Sequence, residues 1–172
     1  MGVRYTSETS LARPLLGKYC NGNGVDLGHG GDKINPTAIS VDRKKPYACT
    51  GDDPTQLVGD ARELVWFRDN CLDYVYSSHL LEDFEFIDPV LAEWTRVIKP
   101  GGFLVLYLPN EQVYRAHCKS RGVEGNRAHK NAWFSAETVK AAMQTVGNFE
   151  LVYETDIINE YSFGIVFQKK RG

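Results

Sequence analysis

Gly24-Val25-Asp26-Leu27-Gly28-His29-Gly30-Gly31 decides how this chain is read. Val25 and Leu27 bracket one acid in a run too short for a helix, and three glycines follow within four residues. Such a run reads as a short buried strand that breaks into a loop whose backbone can turn sharply. Working outward, residues 38–41 repeat the pattern and end at Asp42. Residues 57–58 form a weaker candidate strand ending at Gly59-Asp60. Residues 72–77, after the turn-like Asp69-Asn70, form a strong one ending at Ser77-Ser78-His79.

The apolar spacing of Val90, Leu91, Trp94, Val97 and Ile98 predicts a helix over 88–99, with Pro100-Gly101-Gly102 as its stop. A continuous apolar strand, 103–108, comes next. Ser135 and Glu137 open a second helix that places Val139, Ala142, Met143 and Val146 on one face before Gly147. Two strands without an intervening helix, about 150–154 and 161–169, close the chain. Alternating strands and helices predict a mostly parallel sheet covered on both faces, and the final pair predicts an antiparallel hairpin at its edge. The expectation is an α/β fold: a Rossmann-like, doubly wound three-layer sandwich. Ligands of such sheets sit outside the carboxyl ends of the strands, where strand order reverses.

With 172 residues, one domain spanning 1–172 is expected, with a short N-terminal extension, 1–22, and a substrate-side roof at about 111–133. A hydrophobic fraction of 42% excludes disorder as the main state. Twenty Lys and Arg against twenty-two Asp and Glu argue against a surface built wholly to clamp nucleic acid. Cys20, Cys49, Cys71 and Cys118 are 29, 22 and 47 residues apart, without a C-x-x-C pair, and read as reduced packing thiols. No apolar run approaches a membrane span and no secretory signal is visible, so a cytoplasmic protein with no membrane partner is expected. The Met1-Gly2-Val3-Arg4-Tyr5-Thr6 opening fits a loose myristoylation pattern, which is too short to carry weight. Nothing in the sequence fixes an oligomeric state.

Carboxylates and glycines stand where the strands end. A carboxylate after the second strand can accept both hydroxyls of a ribose, and glycines admit close approach of a ligand. That combination fits an adenosine moiety. A dinucleotide fingerprint would need its third glycine at position 33, which is Lys33, and the P-loop pattern is absent, which weighs against a nicotinamide oxidoreductase.

Taken in order, these motifs resemble the class I S-adenosylmethionine-dependent methyltransferases, in particular the small type 11-like branch. The likeness runs from the D-x-G-x-G loop through Asp42, Gly59-Asp60-Ala61 and Leu72-Asp73-Tyr74-Val75-Tyr76-Ser77-Ser78-His79 to Lys99-Pro100-Gly101-Gly102. It covers residues 24–110, and 126–147 more loosely. The resemblance implies that S-adenosyl-L-methionine is the cofactor. It places Asp26, Gly28 and Gly30 around its amino-acid end, with His29 beside them to contact or crowd it, Asp42 on the ribose, Gly59, Asp60 and Ala61 at the adenine, and Ser77, Ser78 and His79 along the gap between cofactor and substrate. His79, nearest the expected methyl, is the candidate catalytic group, since histidine is the first candidate for a proton acceptor near neutral pH.

Two departures stand out. His29 occupies a position where a small residue is usual in that family. Only seven residues, 31–37, separate the glycine loop from the second strand, whereas a parallel crossover normally takes a dozen or more. The first helix is therefore expected to shrink to about one turn, 32–35. Asp60 is read as also capping a helix that begins near Ala61, and Trp66 and Trp94 as core.

Residues 111–131 carry Arg115, Lys119, Arg121, Arg127 and Lys130 against Glu111 and Glu124, beside His117 and His129. This roof is expected to recognise a polar small molecule, such as a sugar nucleotide or an anionic metabolite, with Asn110, Arg115 and His129 as candidate substrate contacts. A nucleic-acid methyltransferase using Tyr107, Tyr114, Trp133 and Phe134 to stack a base ranks lower, because no N-P-P-[YF] sequence is present. A cofactor-binding module without transfer activity is the other alternative. His79, Glu82 and Asp83 fall at i, i+3 and i+4, but with no further ligand visible no metal site is assigned.

Overall fold

The computed structural model describes residues 6–45 and 50–172; Cys49 and the first five residues of the acylation pattern lie outside them. In chain order come α1 (Glu8–Leu16), a 3-10 turn (Gly17–Tyr19), β1 (Gly24–Leu27), β2 (Ile39–Asp42), β3 (Leu57–Val58) and β4 (Leu72–Ser78). A second 3-10 turn (Leu81–Asp83), α2 (Ile87–Arg96), β5 (Ile98–Pro109), α3 (Glu111–Ser120), α4 (Ala136–Val146), β6 (Phe149–Glu154) and β7 (Ser162–Lys169) follow. The strands form one sheet in the order β3-β2-β1-β4-β5-β7-β6. β1 to β5 pair in parallel, whereas β7 runs antiparallel to both β5 and β6. The Rossmann-like sheet and its terminal hairpin are those expected, and the order reverses between β1 and β4.

Period-two alternation along the central strands divides the apolar residues between two layers. Val75, Leu104, Leu106 and Leu108 face α2 and α4, where they meet Leu91, Trp94, Val139 and Met143. Tyr74, Tyr76, Val105 and Tyr107 face the other way, against Ala12 and Leu16 of α1. Cys20 and Cys118 are buried free thiols, as packing groups should be. Among the described residues no helix is long and apolar enough to cross a membrane.

Four local expectations are corrected. The extension 1–22 contains α1, opened by Ser7, whose side chain accepts from Ser10 N–H. Its buried residues Thr9, Ala12 and Leu16 follow helical spacing, but the element is short and carries Pro14. No helical turn forms at 32–35. The loop is instead held by the turns Asp32 N–H to His29 O and Ala38 N–H to Asn35 O. Arg13 of α1 clamps it, binding the Asp32 carboxylate and the Lys33 carbonyl. Thus α1, arriving from the N-terminus, covers the face that the missing crossover helix would cover.

Pro100-Gly101-Gly102 does not stop a helix. α2 ends at Arg96, and these residues lie in β5, where the β4 register shifts between Leu72 and Tyr74. Finally, no helix begins near Ala61, and Trp66 is 40% exposed while Trp94 is fully buried. The 60–71 segment is pinned instead by Arg96, which donates to the carbonyls of Leu64 and Phe67 and pairs with Glu93 and Asp69.

Candidate active site

The carboxyl ends of β1, β2 and β4 open into one cavity. Gly28 leaves β1 with φ +70, a conformation that favours glycine, and a Cβ there would stand 2.9 Å from Leu80 Cδ2, so the Leu80 side chain would have to shift. Gly30 N–H donates to Asp42 Oδ2 (3.1 Å) and Arg43 N–H to Asp42 Oδ1 (2.7 Å), which fixes the carboxylate at the wall. Gly59 N–H donates to the Asp42 carbonyl, and the Trp66 ring lies where a Gly59 Cβ would be.

Of the residues chosen from sequence, Gly28, His29, Gly30, Asp42, Gly59, Asp60, Ala61, Ser78 and His79 line the cavity. Asp26 and Ser77 are fully buried beneath it. Asp26 Oδ2 accepts from Ile34 N–H (2.7 Å), and Ser77 donates to the Leu27 carbonyl (3.1 Å). Both therefore brace the loop from below. Burial, helped by the nearby Asp32 charge, pushes the Asp26 carboxyl up to about 8 against the Ile34 hydrogen bond, which lowers it. Asp60 is held by Arg62, through both its guanidinium and its N–H, and the side-chain bond lowers the Asp60 pKa. That leaves the backbone at Asp60 and Ala61 as the wall.

His29 does not crowd the cavity. Gly31 N–H donates to its Nδ1 (3.1 Å), so the ring proton sits on Nε2, which reaches Thr55 Oγ1 at 3.0 Å. Burial lowers its pKa, and the neutral ring ties the glycine loop to the segment after β2. Residues missed by sequence reading complete the wall: Ser7, Glu8 and Thr9 at the start of α1, Arg43, Thr50, and Leu80, Asp83 and Phe84 after β4. The only sequence signal for the first group was the weak spacing of Thr9, Ala12 and Leu16.

At the other end of the cavity His79 has φ +47, a left-handed conformation that few residues other than glycine, asparagine, aspartate and histidine adopt. Its Nε2 lies 3.0 Å from Ser162 Oγ and 3.4 Å from Glu8 Oε2, between the rings of Tyr107 and Tyr161. Burial, and then the neighbouring His129, push its pKa down to about 3. It is neutral at physiological pH but too weak a base to hold a proton there.

The roof differs from expectation. Asn110 caps α3 by accepting from Val113 N–H, and Arg115 pairs with Glu111. Neither lines the cavity. Arg115 instead borders a separate surface depression with Arg127 and His129. Arg121 and Arg127 pair with Glu160 and Glu124, so the three arginines of the roof are each met by a carboxylate. The His129 side chain is 4% exposed and points inward, with Nδ1 2.6 Å from Glu111 Oε2 and Nε2 3.7 Å from Glu82 Oε1. Tyr107 and Phe134 are fully buried, so neither offers a face to a nucleic-acid base, although Trp133 is exposed.

A cavity at the point of strand reversal, with a fixed carboxylate at the second strand and a glycine wall at the first, has the features that an adenosine-bearing cofactor needs. A family profile described as a methyltransferase domain matches residues 19–106, just over half of the sequence. The chain belongs to the methyltransferase domain family. Methyl transfer is its activity, and S-adenosylmethionine is the expected cofactor.

Solved structures agree on the fold. A Pyrococcus horikoshii OT3 protein is 24% identical with TM-score 0.69, over 92% of this chain and 88% of its own. A SAM-dependent methyltransferase of Thermotoga maritima, described as a possible histamine N-methyltransferase, is 20% identical with TM-score 0.68, over 96% and 88%. A Haloferax volcanii structure, a complex of the Trm112 methyltransferase activator with a methyltransferase, matches at 16% identity and TM-score 0.63, over 87% and 83%. No match was found among curated protein sequences.

Proposed function

We propose that residues 1–172 act as one methyltransferase unit that methylates a polar small molecule in the cavity between β1, β2 and β4. The observation that carries this reading is the continuity of the wall. Gly28, Gly30 and Asp42 at one end and Ser78 and His79 at the other line the same hollow beneath the first residues of α1. When bound there, a sulfonium cofactor supplies an activated methyl group. Asp42 would hold its ribose hydroxyls, the backbone at Gly59, Asp60 and Ala61 its adenine, and the Gly28–Gly30 loop its amino-acid end, while Asp26, Ser77 and His29 keep that loop in shape.

The protein's contribution is alignment and exclusion of water. Ser78 and His79 shape the acceptor end, and Glu8 closes it from α1. His79 is assigned a positioning role instead of the general-base role expected from sequence, because its low proton affinity disfavours a full proton transfer. The internal pairing of Arg115, Arg121 and Arg127 favours a polar acceptor over one recognised mainly by charge, and disfavours nucleic acid. Calorimetry with S-adenosylmethionine, followed by methyl transfer from labelled cofactor across a panel of hydroxylated, carboxylated and amino acceptors, tests the reading. Absence of cofactor binding would overturn it, and binding without transfer to any small acceptor would remove the substrate class.

A further inference from the structure

Glu82 is 1% exposed, and among the described residues no other residue places a donor at hydrogen-bond distance from either of its carboxylate oxygens. A buried carboxyl group normally sits among donors or beside a cation. Here imidazoles approach it instead: Oε1 is 3.7 Å from His129 Nε2 and 3.7 Å from His79 Nδ1. Glu111 fixes His129 from behind. Its carboxylate, 2.6 Å from Nδ1, draws the ring proton to that nitrogen and leaves the Nε2 lone pair directed at Glu82. Metal-bound histidines are oriented by a carboxylate in this way. Asp83, the next residue, also lines the cavity, and ligand atoms of Glu82, Asp83 and His129 all lie within 4.8 Å of one another.

We propose that Glu82, Asp83 and His129 bind one first-row divalent cation, such as Mn2+, at the edge of the cavity. Ligands held about 2.0–2.2 Å from one ion stand roughly 3 to 3.5 Å apart, so the 3.7 Å between Glu82 and His129 closes with a small inward movement. Two carboxylates and one imidazole suit Mn2+ or Fe2+ better than Mg2+, which prefers oxygen and water alone. Three protein ligands leave coordination positions open. Through Asp83 those positions border the cavity, where an acceptor carrying two adjacent oxygens, such as a vicinal diol or an α-hydroxy acid, completes the sphere. This last part rests on the methyl-transfer reading; the cation site itself does not.

The full chain, stripped with chelator, is titrated with Mn2+ alone and followed by the resonance signal of free Mn2+ and by thermal unfolding. One Mn2+ bound per chain with a rise in Tm is expected, and Glu82→Gln and His129→Gln should each weaken binding by more than about tenfold. Both variants should keep the wild-type circular dichroism spectrum and bind S-adenosylmethionine within about twofold of wild type, a difference of less than about 0.5 kcal/mol in binding. No binding of Mn2+ or Zn2+ by the wild type, or wild-type affinity in both variants, would overturn the proposal and leave Glu82 as a protonated core residue. Should His129→Gln fail to fold, Asp83→Asn takes its place with the same expectation for Mn2+. Mn2+ binding without cofactor binding would keep the cation site and remove the methyl-transfer reading; the reverse result would do the opposite.

Discussion

The flank of the sheet formed by β1, β2 and β3 is built differently from the flank formed by β4, β5 and β7. Its strands are four, four and two residues long, against seven, twelve and eight. Among the described residues its connections have no helices and are held by side chains reaching backbone, as Arg13 does at Lys33 and Ser40 at Pro54. The other flank is a slab of buried aliphatic and aromatic residues between α1 on one face and α2 and α4 on the other. Val25, Leu27 and Val41 join the core that holds Trp94, but the groups that shape the glycine and ribose end of the cavity come from the short-strand flank, so a partial separation of stability from cofactor recognition is expected. Burial of apolar surface supports the long strands, while the short ones spend their polar groups on the shape of a cavity.

If that separation holds, Trp94→Ala should have the largest effect. The residue is fully buried, and its loss should cost about 3–5 kcal/mol in denaturant unfolding. Any cofactor-binding defect should be accounted for by the fraction unfolded. Gly28→Val should come next. It places a branched side chain at φ +70 against Leu80, and calorimetry should show cofactor affinity lowered by about a hundredfold, with a smaller loss of stability of about 1–3 kcal/mol.

Asp42→Ala sharpens the comparison further. Affinity should fall by roughly tenfold to a hundredfold, corresponding to one or two charge-assisted hydrogen bonds, while the unfolding midpoint moves little. A destabilisation as large as that of Trp94→Ala would show that the two flanks are not separate. Trp66→Ala, at a 40% exposed site, should cost less than about 1 kcal/mol, and any excess would mean that its packing on Gly59 matters more than its exposure implies.

Asp26 tests the comparison by a different route, through pH. Its carboxyl is raised to about 8 in the folded state, so the folded chain holds a proton there that the unfolded chain releases near the ordinary value of 3.8. Stability contributed by this group is fully present below about pH 4 and is lost as pH rises toward about 8. Asp26→Asn should flatten that part of a Tm profile measured between pH 5 and 9; an unchanged slope would show that other groups produce it.

The two flanks also differ in how far the sequence discloses them. Gly28, Gly30, Asp42 and Gly59 are legible because local chain chemistry, a strand run broken by glycine or acid, sets their positions. The hairpin is legible for the same reason, since two strand runs follow one another without a helix. By contrast, α1 was read as an extension because its helical spacing spans only nine residues and Pro14 interrupts them. The pairing of Arg121 was hidden because its partner is Glu160, 39 residues away, and no local count includes it. His129 meets Glu82 across 47 residues for a similar reason: the loop after α3 folds back, with Lys130 N–H bonded to the Glu82 carbonyl. Side chains that face each other only after folding leave no spacing to read.

The latch between α1 and the β1 loop carries one more consequence. Ser7 and Arg13 both bind Asp32, while Ser7, Glu8 and Thr9 wall the cavity. Filling that hollow should therefore slow amide exchange along α1 and in the 28–38 loop together, and unzipping α1 should empty it.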